Sequence, residues 1–251
     1  MKPSFYKLLF ISIISTFSFF GAHGSHFAGG DLQYIHIGDS TGNANEYLFI
    51  LRLYRDVSGI PMPTIVDLDI CSSCFNTSTI AMPLFGPAQM APTLFDCVDP
   101  NAPGTVTMEV YEYRKTAILP GICHDFTFVT EKLNARNNAI DNLNLGSGNS
   151  NLVITAKLNN FYGVNSSPKF VSEPVRAFCV GKTFNWKQSA IEADGDSIYF
   201  DLIPPKGGPF GTSCTSVDYS FKPGWSYTQP IKTVSGTSLT LDPKTGIISF
   251  T

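Results

Sequence analysis

Apolar residues alternate with polar ones along much of this chain, and a period of two is that of a β-strand with one buried face. Residues 105–110, 126–128 and 152–158 show the alternation most clearly. Residues 46–57 are instead apolar at consecutive positions from Tyr47 to Leu51, which predicts a central strand covered on both faces. The second half has no sustained helical periodicity, so the pattern predicts an all-β protein.

Shorter strand candidates are separated by turn residues. They cover residues 32–37, 64–70, 175–180, 183–186, 197–202, 216–221 and 238–250. The last candidate contains Asp242-Pro243-Lys244-Thr245-Gly246, a sequence that favours a turn between two strands. Residues 82–103 are interrupted by prolines and are predicted to be mostly loop.

A cluster of Asn, Ser and Pro at Asn165–Pro168 is the best candidate for a domain boundary, because it separates two sets of strands. It divides the chain into modules of residues 25–164 and 165–251. Short alternating strands with frequent turns predict a β-sandwich for each module. The second module is slightly short for a complete sandwich.

Several short motifs of the chain resemble a known group of proteins. They are Asn165-Ser166-Ser167-Pro168, Cys179, Ala193-Asp194-Gly195-Asp196-Ser197, the segment from Leu241 to the end, and upstream residues 25–34, 51–59 and 136–148. These motifs resemble the immunoglobulin-like or cadherin-like modules of large secreted surface proteins of the Bacteroidota, often labelled gliding-motility-associated or polycystic-kidney-disease (PKD) domain proteins.

The resemblance implies two such sandwiches in tandem, the second incomplete, because further strands follow residues 245–250 in that group. It also implies strand or loop for residues 131–143, where propensity alone favours a short helix. Cys97 looks like a cysteine of that group whose usual partner is replaced here by Asn134-Ala135, and Cys123 is a substitute partner to consider. An adhesive surface role is implied by analogy alone.

The N-terminus predicts export. Lys2 and Lys7 precede an apolar stretch from Leu8 to Phe20, and Ala22-His23-Gly24 fits a cleavage site, so residues 1–24 are predicted to be a signal peptide. The apolar stretch is too short to span a membrane comfortably, and no other segment is long and apolar enough. We therefore expect a mature, secreted or cell-surface protein without a membrane span, and the resemblance implies that it is bacterial.

Composition narrows the range of partners. The net charge is −3 and only 15% of the residues are charged, so the chain lacks the basic surface that nucleic acid requires. We expect other surface proteins or glycans as partners. No nucleophile, metalloprotease, phosphate-loop or dinucleotide motif occurs, and no pair of carboxylates is placed as in a glycoside hydrolase. We therefore predict that the protein is not an enzyme.

Six cysteines suggest disulfides in an exported chain, and six allow 15 pairings. They are Cys71, Cys74, Cys97, Cys123, Cys179 and Cys214. We favour a bond between Cys179 and Cys214, which fall in one predicted module. The C-x-x-C of Cys71 and Cys74 could be a redox motif or half a zinc site, but the absence of a second such pair favours a structural role.

Two groups of residues are candidates for ligand binding. Glu192, Asp194 and Asp196 could supply carboxylate oxygens to calcium, or could simply form a tight turn. Trp225 and Tyr227 lie in a loop-like segment and could stack on a sugar, although aromatic residues of sandwiches more often belong to the core. The sequence thus favours an adhesive or structural spacer, with a carbohydrate-binding accessory module as the alternative.

Overall fold

The computed structural model describes residues 27–57, 59–91, 99, 107–130, 133–134, 136, 140–145, 151–172, 178–208 and 213–251. The predicted signal peptide, Cys97 and residues 137–139 and 146–148 lie outside these ranges. The described chain is nearly all β, so the predicted fold class is confirmed at that level.

The first half contains two four-stranded antiparallel sheets with orders β1-β2-β6-β5 and β4-β3-β7-β8. Its elements are β1 (Phe27–His36), α1 (Gly38–Thr41), β2 (Glu46–Asp56), β3 (Ile65–Cys71), β4 (Ser78–Pro83), β5 (Gln89–Met90), β6 (Met108–Ile118), β7 (Phe126–Thr130) and β8 (Thr155–Leu158). Strand β2 lies between β1 and β6, the central position that its apolar run predicts.

One hydrophobic core joins the two large sheets. It combines Phe49 and Leu51 from β2 with Leu68 from β3 and with Phe126 and Phe128 from β7, all essentially inaccessible to water. The Phe49 and Phe128 rings meet edge to face with their centroids 4.8 Å apart. Alternating residues of both sheets therefore supply the two sides of a single apolar layer.

The second half has shorter ladders. They are formed by β9 (Lys169–Phe170), β10 (Phe184–Lys187), β11 (Ala190–Ile191), β12 (Lys206–Gly207), β13 (Val217–Asp218), β14 (Thr240–Leu241) and β15 (Ile247–Phe250). The predicted turn at Asp242–Gly246 joins β14 to β15. Residues 197–202, predicted as a strand, belong to no ladder among the described residues.

Burial differs sharply between the two halves. Among described residues from 165 onward, Leu239 is the only buried large apolar side chain. Phe178, Phe184 and Phe250 contact one another at centroid distances of 4.8 to 5.0 Å, but Phe178 is exposed. The described part of the second half thus has a small aromatic cluster where the sequence predicts a sandwich core.

Candidate functional site at the junction of the halves

The acidic segment 192–196 forms a tight turn directly after β11. Gly195 has a φ of +89°, a conformation that glycine adopts without strain. The Oε2 atom of Glu192 accepts the backbone N–H of Asp196 at 2.8 Å. The side chain of Glu192 therefore closes the turn, and the positive φ at the centre of the turn explains the glycine at position 195.

Asp194 links this turn to the segment between the halves. Its Oδ2 atom accepts the backbone N–H of Ser166 at 2.5 Å. The Oγ atom of Ser166 accepts the N–H of His36, and Ser167 exchanges hydrogen bonds with the backbone of Tyr34. Three segments distant in sequence, namely β1, residues 165–167 and the turn, therefore meet at one junction.

Two tyrosines of the first half lie close to these carboxylates. Burial raises the pKa of Tyr34 to about 12, with further contributions from Tyr47, Asp194 and Glu192. The phenol of Tyr34 donates to the carbonyl of Lys157 at 2.7 Å. Burial also raises the pKa of Tyr47. The negative charge of the turn thus faces a buried, neutral tyrosine pair.

The junction also contains two buried oxygen atoms that accept no hydrogen bond, Oδ1 of Asn165 and Oε1 of Glu192. Carbonyl and carboxylate oxygens of this kind are the ligands that calcium prefers. The carboxylates of Asp194 and Asp196 are largely exposed, however, and Asp194 already bonds Ser166. Asn165 and Glu192 therefore each keep one buried oxygen without a hydrogen-bond partner that a cation would take as a ligand.

The compact group of potential metal ligands found among the described residues lies elsewhere. It consists of Cys74, Cys123, His124 and Asp125, whose ligand atoms lie within 4.8 Å of one another. Cys74 and Cys123 are joined in a disulfide, so neither sulfur is a thiolate. Both oxygens of Asp125 face the backbone N–H of Ser73, which lowers the pKa of the carboxyl. The disulfide between Cys74 and Cys123 therefore accounts for the close approach of these four residues.

The disulfides correct the sequence prediction. Cys214 bonds Cys71, 143 residues earlier, so the predicted pair of Cys179 and Cys214 is wrong. Cys123 bonds Cys74 and does not substitute as the partner of Cys97, which lies outside the described residues. Cys179 is also disulfide-bonded. Proximity in sequence misled the prediction because the junction brings β3 beside a loop of the second half.

The two predicted aromatic ligand residues lie in one turn of the second half. Tyr227 is 43% exposed and Trp225 is partly buried. The ammonium of Lys232 lies 5.5 Å from the centre of the Trp225 ring. The structure describes no ring contact between Trp225 and Tyr227 that would form a platform.

A buried polar network that joins the two halves was missed from the sequence. Asn151 and Gly208 exchange two hydrogen bonds of 2.6 and 3.0 Å, and the phenol of Tyr219 donates to Asn151. Arg136 donates to the carbonyls of Asn151 and Lys206, and burial lowers the pKa of its guanidinium. A single asparagine beside a strand gives no sequence signal for such a role, since its partners are 57 and 68 residues away.

Comparisons with known proteins do not assign the chain to a class. No family profile matches it, and neither the curated proteins nor the solved structures contain a significant match. Within the described ranges, no helix has the length and apolar character needed to cross a bilayer.

Proposed function

We propose that this protein is a secreted, non-enzymatic extracellular or cell-surface protein that serves as a structural spacer or adhesive segment. The proposal includes tandem immunoglobulin-like or cadherin-like modules and a relationship to the surface proteins of the Bacteroidota. Its main support is the connection between the halves, where one disulfide, Cys71–Cys214, crosses the junction directly.

Two sets of hydrogen bonds reinforce that crosslink. One joins Asp194 and Ser166 to β1, and the other surrounds Asn151, Gly208 and Tyr219. A spacer must transmit force or orientation from one module to the next, and flexible linkers cannot do so. Disulfides also suit an oxidising extracellular environment.

The test is the cooperativity of unfolding, measured by calorimetry on the mature chain from Ser25. We expect one transition for the native protein because the halves are coupled. The Cys71→Ala/Cys214→Ala variant should show a broadened transition, because the second half then opens before the first half unfolds. The matched control is Cys74→Ala/Cys123→Ala, which removes a crosslink inside the first half and should keep a single transition at a lower temperature.

Two well-separated transitions in the native, oxidised protein would contradict a rigid connection between the halves. Identical behaviour of both disulfide variants would also contradict it, because the crosslink across the junction would then have no special role.

The same thermal unfolding experiment also tests whether calcium binds. A cation held by Asn165 and Glu192 should raise the midpoint of thermal unfolding relative to chelator, and Glu192→Gln should abolish the increase. Asp194→Asn is expected to lower the midpoint in both media, since it weakens the bond to Ser166. Equal midpoints with calcium and with chelator would leave the acidic residues as turn formers.

A further inference from the structure

A groove on the outer face of the sheet β1-β2-β6-β5 has the dimensions of a ligand site. Its volume is about 440 Å³, within the range of pockets that hold small ligands. Its lining includes Arg52, Phe85, Met90, Glu112 and Arg114. The residues that line the groove belong to the first half, and none of them is part of the junction or of the turn that contains Trp225.

The floor of the groove is a row of charges across three strands. Asp31 pairs with Arg52 in the ladder of β1 and β2, and Arg52 pairs with Glu112 in that of β2 and β6. Arg52 donates to Oδ1 of Asp31 at 3.0 and 3.1 Å and to the carbonyl of Phe170 at 2.9 Å. These contacts hold the floor in one arrangement before any ligand arrives.

Arg114 and Glu112 form the polar side of the groove. The Nε atom of Arg114 donates to Oε1 of Glu112, and the guanidinium carbon lies 3.9 Å from the centre of the Phe85 ring. The terminal nitrogens of Arg114 and the Oε2 atom of Glu112 have no hydrogen-bond partner within the described chain. Donors and an acceptor therefore lie side by side in a fixed orientation.

The opposite side is apolar. Phe85 and Met90 are 53% and 60% exposed, large fractions for such side chains. The Phe85 N–H donates to the carbonyl of Glu112 at 2.7 Å, and Gln89 pairs with Val110 in the ladder of β5 and β6. The segment bearing the apolar side chains is thus fixed to the same strand as the polar groups.

The chemistry of this groove fits a sugar. Arg52 is paired with Asp31, which lies outside the lining, and Arg114 is paired with Glu112, so each guanidinium that lines the groove is already matched by a carboxylate and attraction to a further anion is weak. A sugar ring presents hydroxyls that both donate and accept hydrogen bonds, beside a C–H face that packs on apolar side chains. We propose that the groove binds neutral oligosaccharides. The inference rests on the adhesive role proposed above and gives it a ligand class.

The experiment is isothermal titration of the mature, oxidised protein with short oligosaccharides of glucose, xylose, mannose, N-acetylglucosamine or galacturonic acid. We expect at least one neutral oligosaccharide to bind with a dissociation constant of about 1 mM or tighter. Arg114→Met and Glu112→Gln should each weaken binding about tenfold or more, because a charged group makes the stronger hydrogen bonds. Unchanged thermal midpoints would show that both variants fold.

Lys115→Met is the matched control. It removes one positive charge from the same strand, at the next position, which points to the other face of the sheet. Its binding should equal that of the native protein. Equal loss in Lys115→Met, or unchanged binding in Arg114→Met, would overturn the proposal.

Three further outcomes would also overturn the proposal that this groove binds neutral oligosaccharides. They are no binding to any of these sugars, binding to the galacturonic acid oligosaccharide alone, and binding lost in Trp225→Ala but retained in Arg114→Met. None of these results bears on the spacer proposal, which depends on the cooperativity of unfolding alone.

Discussion

At the scale of single residues, Asn151 is fully buried and makes hydrogen bonds to the second half. Its side chain bonds both backbone groups of Gly208 and accepts from the phenol of Tyr219. Replacement by alanine leaves these groups buried without partners, and each such group costs about 1 to 3 kcal/mol. The side chain of one residue thus stabilises contacts with two separate segments of the second half.

We predict that Asn151→Ala lowers the free energy of unfolding by about 2 to 4 kcal/mol in urea titrations. Asn144→Ala is the control, because Asn144 also bonds the second half, at Ser220 and Phe221, but at an exposed site where water can replace the lost bonds. Its effect should stay below about 1 kcal/mol. Equal effects of the two variants would contradict a special role for the buried network.

Asp242 gives a prediction about pH. Its Oδ1 atom accepts the N–H groups of Lys244 and Thr245, which lowers the pKa of the carboxyl below its ordinary 3.8. The stability that the charged form contributes is therefore complete above pH 3.8 and is lost as the pH falls through the lowered pKa. Asparagine resembles the protonated form.

Asp242→Asn should therefore unfold at a lower temperature than the native protein at neutral pH, and the difference should shrink as the pH falls below 3.8. Thermal unfolding monitored by circular dichroism between neutral and acidic pH measures both effects. Asp67→Asn, at an exposed position of β3, removes the same charge without these bonds and is the control. If the difference in unfolding temperature between Asp242→Asn and the native protein grows as the pH falls, the stabilising role of the charged Asp242 carboxylate is contradicted.

At the scale of elements, the sequence predicted the strands whose side chains fill the shared core. The apolar run around Phe49 became β2, and the segments around Leu68 and Phe128 became β3 and β7. In β2 only alternate residues from Tyr47 to Leu53 are buried, so the strand is central but is not fully covered on both faces as its apolar run predicted. Residues 197–202 alternate just as well, with Tyr199 exposed and Ile198 and Phe200 partly buried, yet the segment joins no described ladder. Alternation specifies a strand only where a partner strand and a core are available.

Strand β1 shows how closely elements approach one another. An added Cβ at Gly30 would lie 2.5 Å from Cδ1 of Ile154 and 2.6 Å from the carbonyl oxygen of Arg52. An added Cβ at the neighbouring Gly29 would meet no atom within 4 Å. Gly30 is therefore the place where β1 packs directly against the chain leading into β8.

We predict that Gly30→Ala destabilises the protein by about 1 to 3 kcal/mol, since strand and neighbour must move apart. Gly29→Ala should be neutral or slightly stabilising, because it only restricts the unfolded chain. Urea titration of the two variants checks the contrast, and similar effects at both positions would contradict the close approach at Gly30.

At the scale of the whole molecule, the second half depends on the first. Its described residues bury one large apolar side chain, Leu239, and its Cys214 has its partner in β3. The sequence placed a boundary at Asn165–Pro168, and the composition of that segment does resemble a linker. Composition could not reveal that Ser166 and Ser167 pair with β1, because these contacts span 130 and 133 residues.

We therefore predict that residues 165–251 produced alone show no cooperative thermal transition, in contrast to the intact mature chain. Too little apolar surface is buried to offset the loss of conformational entropy on folding. Calorimetry and near-ultraviolet circular dichroism measure the transition and the packing of aromatic side chains. A sharp transition in the fragment would show that the second half is an independent domain.

The nesting of the two described disulfides has a consequence for biosynthesis. Cys74 can reach Cys123 as soon as the first half has emerged, but Cys71 must wait for Cys214, which follows 91 residues after Cys123 (214 − 123). During that interval an exposed Cys71 thiol lies beside a finished crosslink and can attack it. Correct pairing is therefore favoured if Cys71 and Cys214 bond only after the whole chain has been exported, or if a thiol isomerase reverses wrongly paired disulfides.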